Sequence, residues 1–249
     1  MTSLFIQSIK KNIITFCTIP LLILIFSPAY AQFESNPCKC CDDYLKKLFR
    51  GKSLEVFYAP SGSASSSFLL PDGPAPKIIP ATDAAPPDDA AYEAWTCRYS
   101  SSKITDNDPK TAWVEGADGQ GIGEVLIIEC LDLGKPVKIW AGYGKSAGIF
   151  TSNSRPKTIR IVIASGETRG ATQNGMMYEN LKVIAEKVVS LNDINGYQSL
   201  PLPVFKTETY FSIKLDGQME YKYFLGIEIL EVYPGSKYKD TCISEIVNK

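Results

Sequence analysis

The sequence contains no histidine among its 249 residues. This absence excludes Ser-His-Asp and Cys-His nucleophilic mechanisms, imidazole metal sites and the common proton shuttle near neutral pH. It does not exclude chemistry by carboxylates or lysines, but it makes an enzyme the less favoured class. Clusters of basic residues are also missing. The chain has 26 Lys and Arg and 27 Asp and Glu, which gives a net charge of -1. Nucleic acid is therefore not an expected partner.

Long apolar runs are scarce, and the one that stands out is at the N-terminus. Lys10 and Lys11 precede the apolar stretch 13–26, and Ala29-Tyr-Ala31 has the small-x-small pattern of a cleavage site. We predict a signal peptide over 1–31 and a secreted, periplasmic or cell-envelope protein. An uncleaved anchor is the alternative, although the run is short for a span of about 20 residues. No membrane span is predicted after cleavage.

Six of the seven cysteines lie beyond the predicted signal peptide. An even number of cysteines in an exported chain favours structural disulfide bonds, with room for a buried free thiol. The spacing does not give the pairing, and the first three lack the usual spacing of a zinc site. The six residues are Cys38, Cys40, Cys41, Cys97, Cys130 and Cys242.

Composition divides the remaining chain into three parts. Residues 32–59 form a short Cys-rich segment, with a helix predicted over 44–49, before Gly51, and a strand over 53–58. Residues 60–92 are rich in Pro, Ala and Ser, which predicts an extended or disordered linker with little apolar surface to bury. Residues 93–249 carry the strand patterns of a single domain.

The third part alternates short Ile- and Val-rich runs with turns. This pattern predicts an all-β fold of two packed antiparallel sheets. The run 181–191 has helix-forming Ala, Glu and Lys, but its Val and Ile content and flanking turns favour a strand. The predicted strands are 124–131, 137–143, 158–164, 181–191, 210–215 and 224–233.

The most specific segment is the loop 105–124. Its first half reads D-x-D-P-x-T-A-W-x-E-G from Asp106, and its second half places glycines at 119, 121 and 123 before Glu124. Together with 142–146, 153–156, 233–235 and 239–245, the loop resembles the coagulation-factor type C (discoidin) family. The closest likeness is to its bacterial branch named after the NAD glycohydrolase translocation domain. These ordered motifs cover about residues 93–249.

The resemblance implies a galactose-binding-like antiparallel β-sandwich, or jelly roll, with ligands bound by loops at one end. It does not imply NAD hydrolysis, because the hydrolase of the namesake is a separate domain. Many galactose-binding-like domains hold a structural Ca²⁺ near this loop, which makes Asp106 and Asp108 the candidate metal ligands. The alternative is that both residues only cap a turn.

Six residues are candidate ligand-binding residues. The indole of Trp113 could stack on a sugar, although burial beneath the loop is its commoner fate. Polar or aromatic groups around the loop could contact hydroxyl groups or an acidic sugar, or could pin the loop internally. The six residues are Trp113, Glu115, Tyr143, Lys145, Asn153 and Arg155.

Glu115 and Glu124 flank the glycine loop and raise the question of glycosidase chemistry, which uses two carboxylates. Bonds to loop amides or to basic side chains are the better interpretation. The glycines do not form a nucleotide loop, since they precede a strand instead of following one. The sequence thus predicts an exported, non-catalytic recognition module for carbohydrate, with an envelope protein-interaction module as the alternative and a carboxylate-dependent glycoside hydrolase as the less favoured one.

Overall fold

The computed structural model of the protein describes residues 43–60, 62–82, 88–129, 131–172, 175–206, 212–214, 217–219 and 221–249. The predicted signal peptide, and four of the six cysteines beyond it, lie outside these residues. Of the two that are described, Cys97 is disulfide-bonded and Cys242 is a buried free thiol. The pairing of the other cysteines stays a prediction.

The described elements are short helices and antiparallel strands. The helices are α1 (Tyr44–Phe49), α2 (Ala90–Thr96) and α3 (Ala147–Ser152), with a 3₁₀ turn η1 at Ser101–Thr105. The strands are β1 (Leu54–Pro60), β2 (Ser63–Ser65), β3 (Trp113–Val114), β4 (Val125–Ile128), β5 (Val137–Trp140), β6 (Arg155–Thr172), β7 (Gly175–Ser190), β8 (Gln198–Ser199), β9 (Ser212–Lys214), β10 (Gly217–Met219), β11 (Tyr221–Tyr233), β12 (Cys242–Ile243) and β13 (Glu245–Asn248).

The strands form a large sheet with the order β1-β7-β6-β11-β4-β2 and a smaller sheet with the order β13-β5-β8. Two-stranded pairs join β12 to β3 and β10 to β9. Every strand pairing is antiparallel. This arrangement confirms the predicted all-β, discoidin-type sandwich. It also places 181–191 in a strand that pairs with β6, as its Val and Ile content predicts.

The main core lies between the two sheets. The alternating residues Ile159, Ile161 and Ile163 of β6 point into it, as do Ile139 of β5 and Ile246 of β13. All five are almost fully buried. Burying a side chain of this size stabilises a fold by about 1.5–3 kcal/mol. This core therefore accounts for the period-2 pattern in the sequence.

The large sheet is also covered on its outer face. All four residues of β4 are buried, because Leu126 and Ile128 face the main core while Val125 and Ile127 face a second cluster. Phe49 of α1 belongs to this second cluster. A side chain at Gly226 of β11 would come within 2.8 Å of the Phe49 ring. The glycine thus leaves room for the helix.

The predicted linker over 60–92 is wrong for its first part. Residues 63–65 form β2 at the edge of the large sheet, and Ser66, Ser67 and Phe68 are buried. Composition misleads because it counts apolar surface, whereas these small serines are buried through hydrogen bonds. Residues 43–71 therefore pack against the domain. Among the described residues, none of the helices combines the length and apolar character needed to cross a bilayer.

Candidate functional site

The acidic turn that opens the 105–124 loop is closed by its own side chains. The Asp106 carboxylate accepts hydrogen bonds from the Asp108 amide at 3.0 Å and from the Thr111 hydroxyl at 2.8 Å. Asp108 in turn accepts one from the Lys110 amide at 3.0 Å. Asn107 has φ 61°, a left-handed conformation that asparagine tolerates better than most residues. These hydrogen bonds are the ones expected if Asp106 and Asp108 cap the turn.

A buried carboxylate lies beside this turn. Glu245 of β13 is fully buried, and neither of its carboxylate oxygens has a hydrogen-bond partner of good geometry among the residues that the structure describes. Burial, reinforced by the neighbouring charge of Asp106, raises the pKa of Glu245 to about 7. A proton on Glu245, or a cation beside it, would relieve the repulsion between these two carboxyl groups.

The structure offers a partial oxygen shell for a metal. Within the described part of the chain, no three His, Cys, Asp or Glu side chains converge as a metal site requires. Asp106 and Glu245 nevertheless supply hard oxygen ligands of the kind that Ca²⁺ takes. Asp106 and Asp108 both cap the turn through their carboxylates. Glu245 is the further carboxylate that the fold brings to Asp106, so it joins the predicted pair as a candidate oxygen donor.

Trp113 is a core residue. Its indole has no exposed surface and belongs to the main core cluster. The indole N–H donates to the carbonyl oxygen of Ser67 at 2.8 Å, so the ring also anchors the N-terminal segment. A side chain in this position has no free face for a sugar. Its interpretation as a ligand-binding residue is therefore wrong, and the core alternative describes it.

Glu115 holds the glycine loop closed. The side chain is fully buried, and its oxygens accept hydrogen bonds from the amides of Ala117 at 2.8 Å and Thr241 at 3.2 Å. Burial raises the pKa of the Glu115 carboxyl to about 7, although the two amide hydrogen bonds act to lower it. Gly121 has φ 68°, and a side chain there would come within 2.5 Å of the Glu115 side chain. Glu115 is thus structural and cannot reach a ligand.

Glu124 connects three separate parts of the chain. Its carboxylate accepts hydrogen bonds from the hydroxyl groups of Ser66, at 2.6 Å, and Ser67. It also pairs with Lys46 of α1 at 2.5 Å. The two glutamates that flank the loop are therefore both occupied internally. Neither carboxylate is exposed to donate a proton to a glycosidic oxygen or to attack a sugar.

Arg155 and Asn153 also bond internally. The Arg155 guanidinium forms two hydrogen bonds with the Asp193 carboxylate, at 2.8 and 2.7 Å, and donates to the Asn153 carbonyl oxygen at 2.8 Å. It is 7% exposed and lies 5.0 Å from the centre of the Phe150 ring. The Asn153 amide donates to the Ile149 carbonyl oxygen at 2.8 Å. Both side chains therefore fix the loop internally, which is the alternative to their role as ligand-binding residues.

Of the six predicted residues, Lys145 is exposed, and Tyr143 and Asn153 are partly buried. Tyr143 packs against a small cluster that includes Cys242. Burial raises the pKa of the Tyr143 phenol. Tyr143 and Lys145 lie in the loop between β5 and α3, where Ser146 caps the helix by accepting a hydrogen bond from the Ile149 amide.

Sequence reasoning missed an aromatic pair on the smaller sheet. Trp140, the last residue of β5, and Tyr197 have ring centres 5.0 Å apart at an interplanar angle of 76°. Both residues are partly exposed. The alternation of β5 could have indicated the first of them, since Val137 and Ile139 face the core and Trp140 must therefore face outward.

Comparison with known proteins places this geometry in a family. The family model of the NAD glycohydrolase translocation F5/8 type C domain matches residues 89–249. The chain belongs to this family. The family is a type of non-catalytic module, in keeping with the internal bonds of Glu115 and Glu124. The match begins after β1 and β2, so the N-terminal part of the large sheet lies outside it.

Solved structures add only distant likenesses. The chain is 15% identical to an arabinofuranosyltransferase AftD mutant from Mycobacteria, with a TM-score of 0.33, covering 79% of this chain and 11% of that one. It is 14% identical to a GH29 fucosidase mutant of Ruminococcus gnavus in complex with fucose, with a TM-score of 0.21, covering 60% and 22%. The chain thus spans a small fraction of these proteins. No curated protein matches it.

Proposed function

We propose that this protein is an exported, non-catalytic recognition module that binds carbohydrate. Its family is a type of non-catalytic module. The observation that carries the non-catalytic part is the internal bonding of Glu115 to amides and of Glu124 to serines and Lys46. With no histidine in the chain, these two were the carboxylates considered for glycosidase chemistry. Both instead hold the loop and the N-terminal segment in place.

The carbohydrate part of the proposal is supported by what surrounds the loops. Once Trp113, Glu115, Asn153 and Arg155 are assigned to the scaffold, the surface after β5 still presents Lys145, which is exposed, and Tyr143, which is partly buried. A scaffold fixed by buried hydrogen bonds is a suitable support for a binding surface, because little conformational freedom is lost when a ligand binds.

Retention on immobilised polysaccharides tests this function. The folded protein should be retained by a subset of polysaccharides, and soluble glycans of that subset should be recovered uncleaved after prolonged incubation. Release of reducing ends that is lost in Glu115→Gln would contradict the non-catalytic assignment. Retention by none of the polysaccharides would contradict carbohydrate binding and favour the envelope protein-interaction alternative.

In that alternative, the domain docks a partner protein and the Cys-rich segment 32–59 clips onto it. In the structure, residues 43–59 of this segment are part of the domain, since β1 pairs with β7 and α1 covers the outer face of the large sheet. This packing does not favour a role as a separate clip. Capture of an envelope protein by the full chain, lost on deletion of 32–42, would support the alternative.

We also propose a structural Ca²⁺ beside the acidic turn, held by Asp106 and Glu245. The unsatisfied, buried oxygens of Glu245 support it. A bound cation would neutralise the two carboxylates and stiffen the turn, without a role in chemistry. Addition of Ca²⁺ to chelator-treated protein at pH 8 should raise the melting temperature; no change would count against the site.

Export is proposed from residues 1–31. Mass spectrometry of the protein recovered from the envelope or the medium should give a mature N-terminus at Gln32. Recovery of the intact chain in a membrane fraction would instead support the uncleaved anchor.

A further inference from the structure

Trp140 is a large aromatic residue on the outer side of the smaller sheet. Along β5, Val137 and Ile139 are buried in the core, whereas Lys138 and Trp140 are only partly buried. Side chains on alternate positions of a strand point to opposite faces, so the indole and the lysine share the outward face. An indole that keeps one part in contact with water is the kind of group that recognises amphipathic ligands.

The surroundings hold this indole in a defined position. Its N–H donates to the side-chain oxygen of Asn195 at 3.1 Å, and the Tyr197 ring packs almost perpendicular to it. The chain runs close to the indole at Gly144, where a Cβ atom would come within 2.8 Å of it. The partly exposed rings are therefore preorganised by the loops 142–146 and 192–198, as a binding surface requires.

Positive charge borders the two rings. The Lys249 ammonium donates to the Tyr197 hydroxyl at 2.7 Å and lies 4.0 Å from the centre of its ring. Lys145 follows Gly144, and Lys138 is two residues before Trp140 on the same face. None of these three lysines forms an ion pair with another of the described residues. Lys138 and Lys145 add positive charge to this surface, while Lys249 also interacts electrostatically with the buried Glu245, which pairs with Trp140 across β13 and β5.

We propose that this Trp140–Tyr197 surface, formed by the outward side chains of Trp140, Asn195, Tyr197 and Lys249, binds an acidic carbohydrate. The inference deepens the proposed function and rests on it. The apolar C–H face of a sugar ring packs against the aromatic pair, since aromatic rings accept such contacts. The amide of Asn195 bonds to hydroxyl groups, and the lysines attract the sugar carboxylate. A neutral sugar would lack this electrostatic attraction to the lysines.

Binding by the full-length protein to uronate-containing oligosaccharides, and to the same oligosaccharides with the carboxyl groups reduced, tests the inference. We expect the reduced ligands to bind about tenfold more weakly, as the loss of one good polar interaction would give. Tyr197→Ala and Lys249→Ala should lower the affinity for the acidic ligands by a similar factor. Lys187→Ala is the matched control, because this exposed lysine lies on β7 of the other sheet.

Intrinsic fluorescence gives a second measurement on the unaltered fold. Of the three tryptophans, Trp113 is buried in the core and Trp95 lies on α2. The acidic ligand should change the emission of the wild-type protein, and this change should be absent in Trp140→Phe. The fluorescence test remains valid if Tyr197→Ala weakens folding.

The outcomes separate this inference from the proposed function. Tight binding of acidic glycans that survives Tyr197→Ala, Lys249→Ala and Trp140→Phe would overturn the location while leaving carbohydrate binding intact. Equal binding of the reduced ligands would overturn the acidic class. The absence of binding to any carbohydrate would overturn both proposals.

Discussion

Replacing Glu245 with glutamine should change how the stability of the fold depends on pH. In the native state, burial and the charge of Asp106 raise the pKa of the Glu245 carboxyl to about 7, from an ordinary value of 4.5. Below pH 4.5 both the native and the unfolded states hold this proton. Between the two values only the native state holds it. Unfolding then releases a proton, and stability falls as the pH rises.

The size of the effect follows from the shift in pKa. A difference of one pKa unit corresponds to about 1.4 kcal/mol, so this carboxyl should cost the fold about 3 kcal/mol on going from pH 4.5 to above pH 7. The neutral amide of Glu245→Gln has about the same shape and does not titrate. The free energy of unfolding of the variant should therefore depend less steeply on pH, because the contribution of Glu245 is absent.

Urea unfolding between pH 5 and pH 8, with a chelator present, measures both slopes. The difference between the wild-type and variant free energies should change by about 2.5 kcal/mol across this range in favour of the variant at high pH. Glu115, whose pKa is also raised to about 7 by burial, adds a similar slope to both proteins and cancels in the comparison. Parallel curves would refute the assignment of a protonated, buried Glu245.

An exposed glutamate provides the control. The pKa of Glu231 is lowered through hydrogen bonds to Lys157 and Thr158. The stability of Glu231→Gln should therefore fall between pH 5 and pH 8 by as much as that of the wild-type protein. If Ca²⁺ replaces the proton, it should stabilise the wild-type protein at pH 8 and leave Glu245→Gln unchanged.

Three other substitutions test the scaffold. Trp113→Ala should lower the free energy of unfolding by about 3–5 kcal/mol, because it empties a core site; a wild-type melting temperature with lost glycan binding would contradict that assignment. Phe49→Ala should cost a similar amount by uncovering the outer face of the large sheet, and an unchanged urea midpoint would mean that α1 does not cover it. Arg155→Lys, which cannot form both bonds to Asp193, should increase hydrogen exchange around Ile149; unchanged exchange would contradict its role as a loop pin.

The fold was largely predictable because periodicity and motif order are local signals. The alternation of Ile159, Ile161 and Ile163 predicts a sandwich strand, and the helix over 44–49 is where its sequence indicates. The segment 62–71 was not predictable in the same way. Its serines Ser66 and Ser67 are buried where Glu124, far along the chain, accepts their hydrogen bonds. Composition cannot reveal a partner of that kind.

The candidate site was less predictable than the fold. The motifs indicate Arg155 and Trp113, yet a side chain that defines a motif can equally serve the scaffold, as these two do. Glu245 lies within the motif 239–245, but the motif alone does not indicate a ligand, since the burial of Glu245 beside Asp106 depends on the pairing of β13 with β5. Trp140 could have been found from strand alternation alone.

A glycan array probed with the folded, full-length protein, in the presence and absence of Ca²⁺, tests the central claim most directly. The account predicts a selective signal on a limited set of glycans, with acidic members among the strongest. A uniformly blank array, from protein whose folding is confirmed by a cooperative thermal transition, would contradict the assignment of a carbohydrate-recognition module.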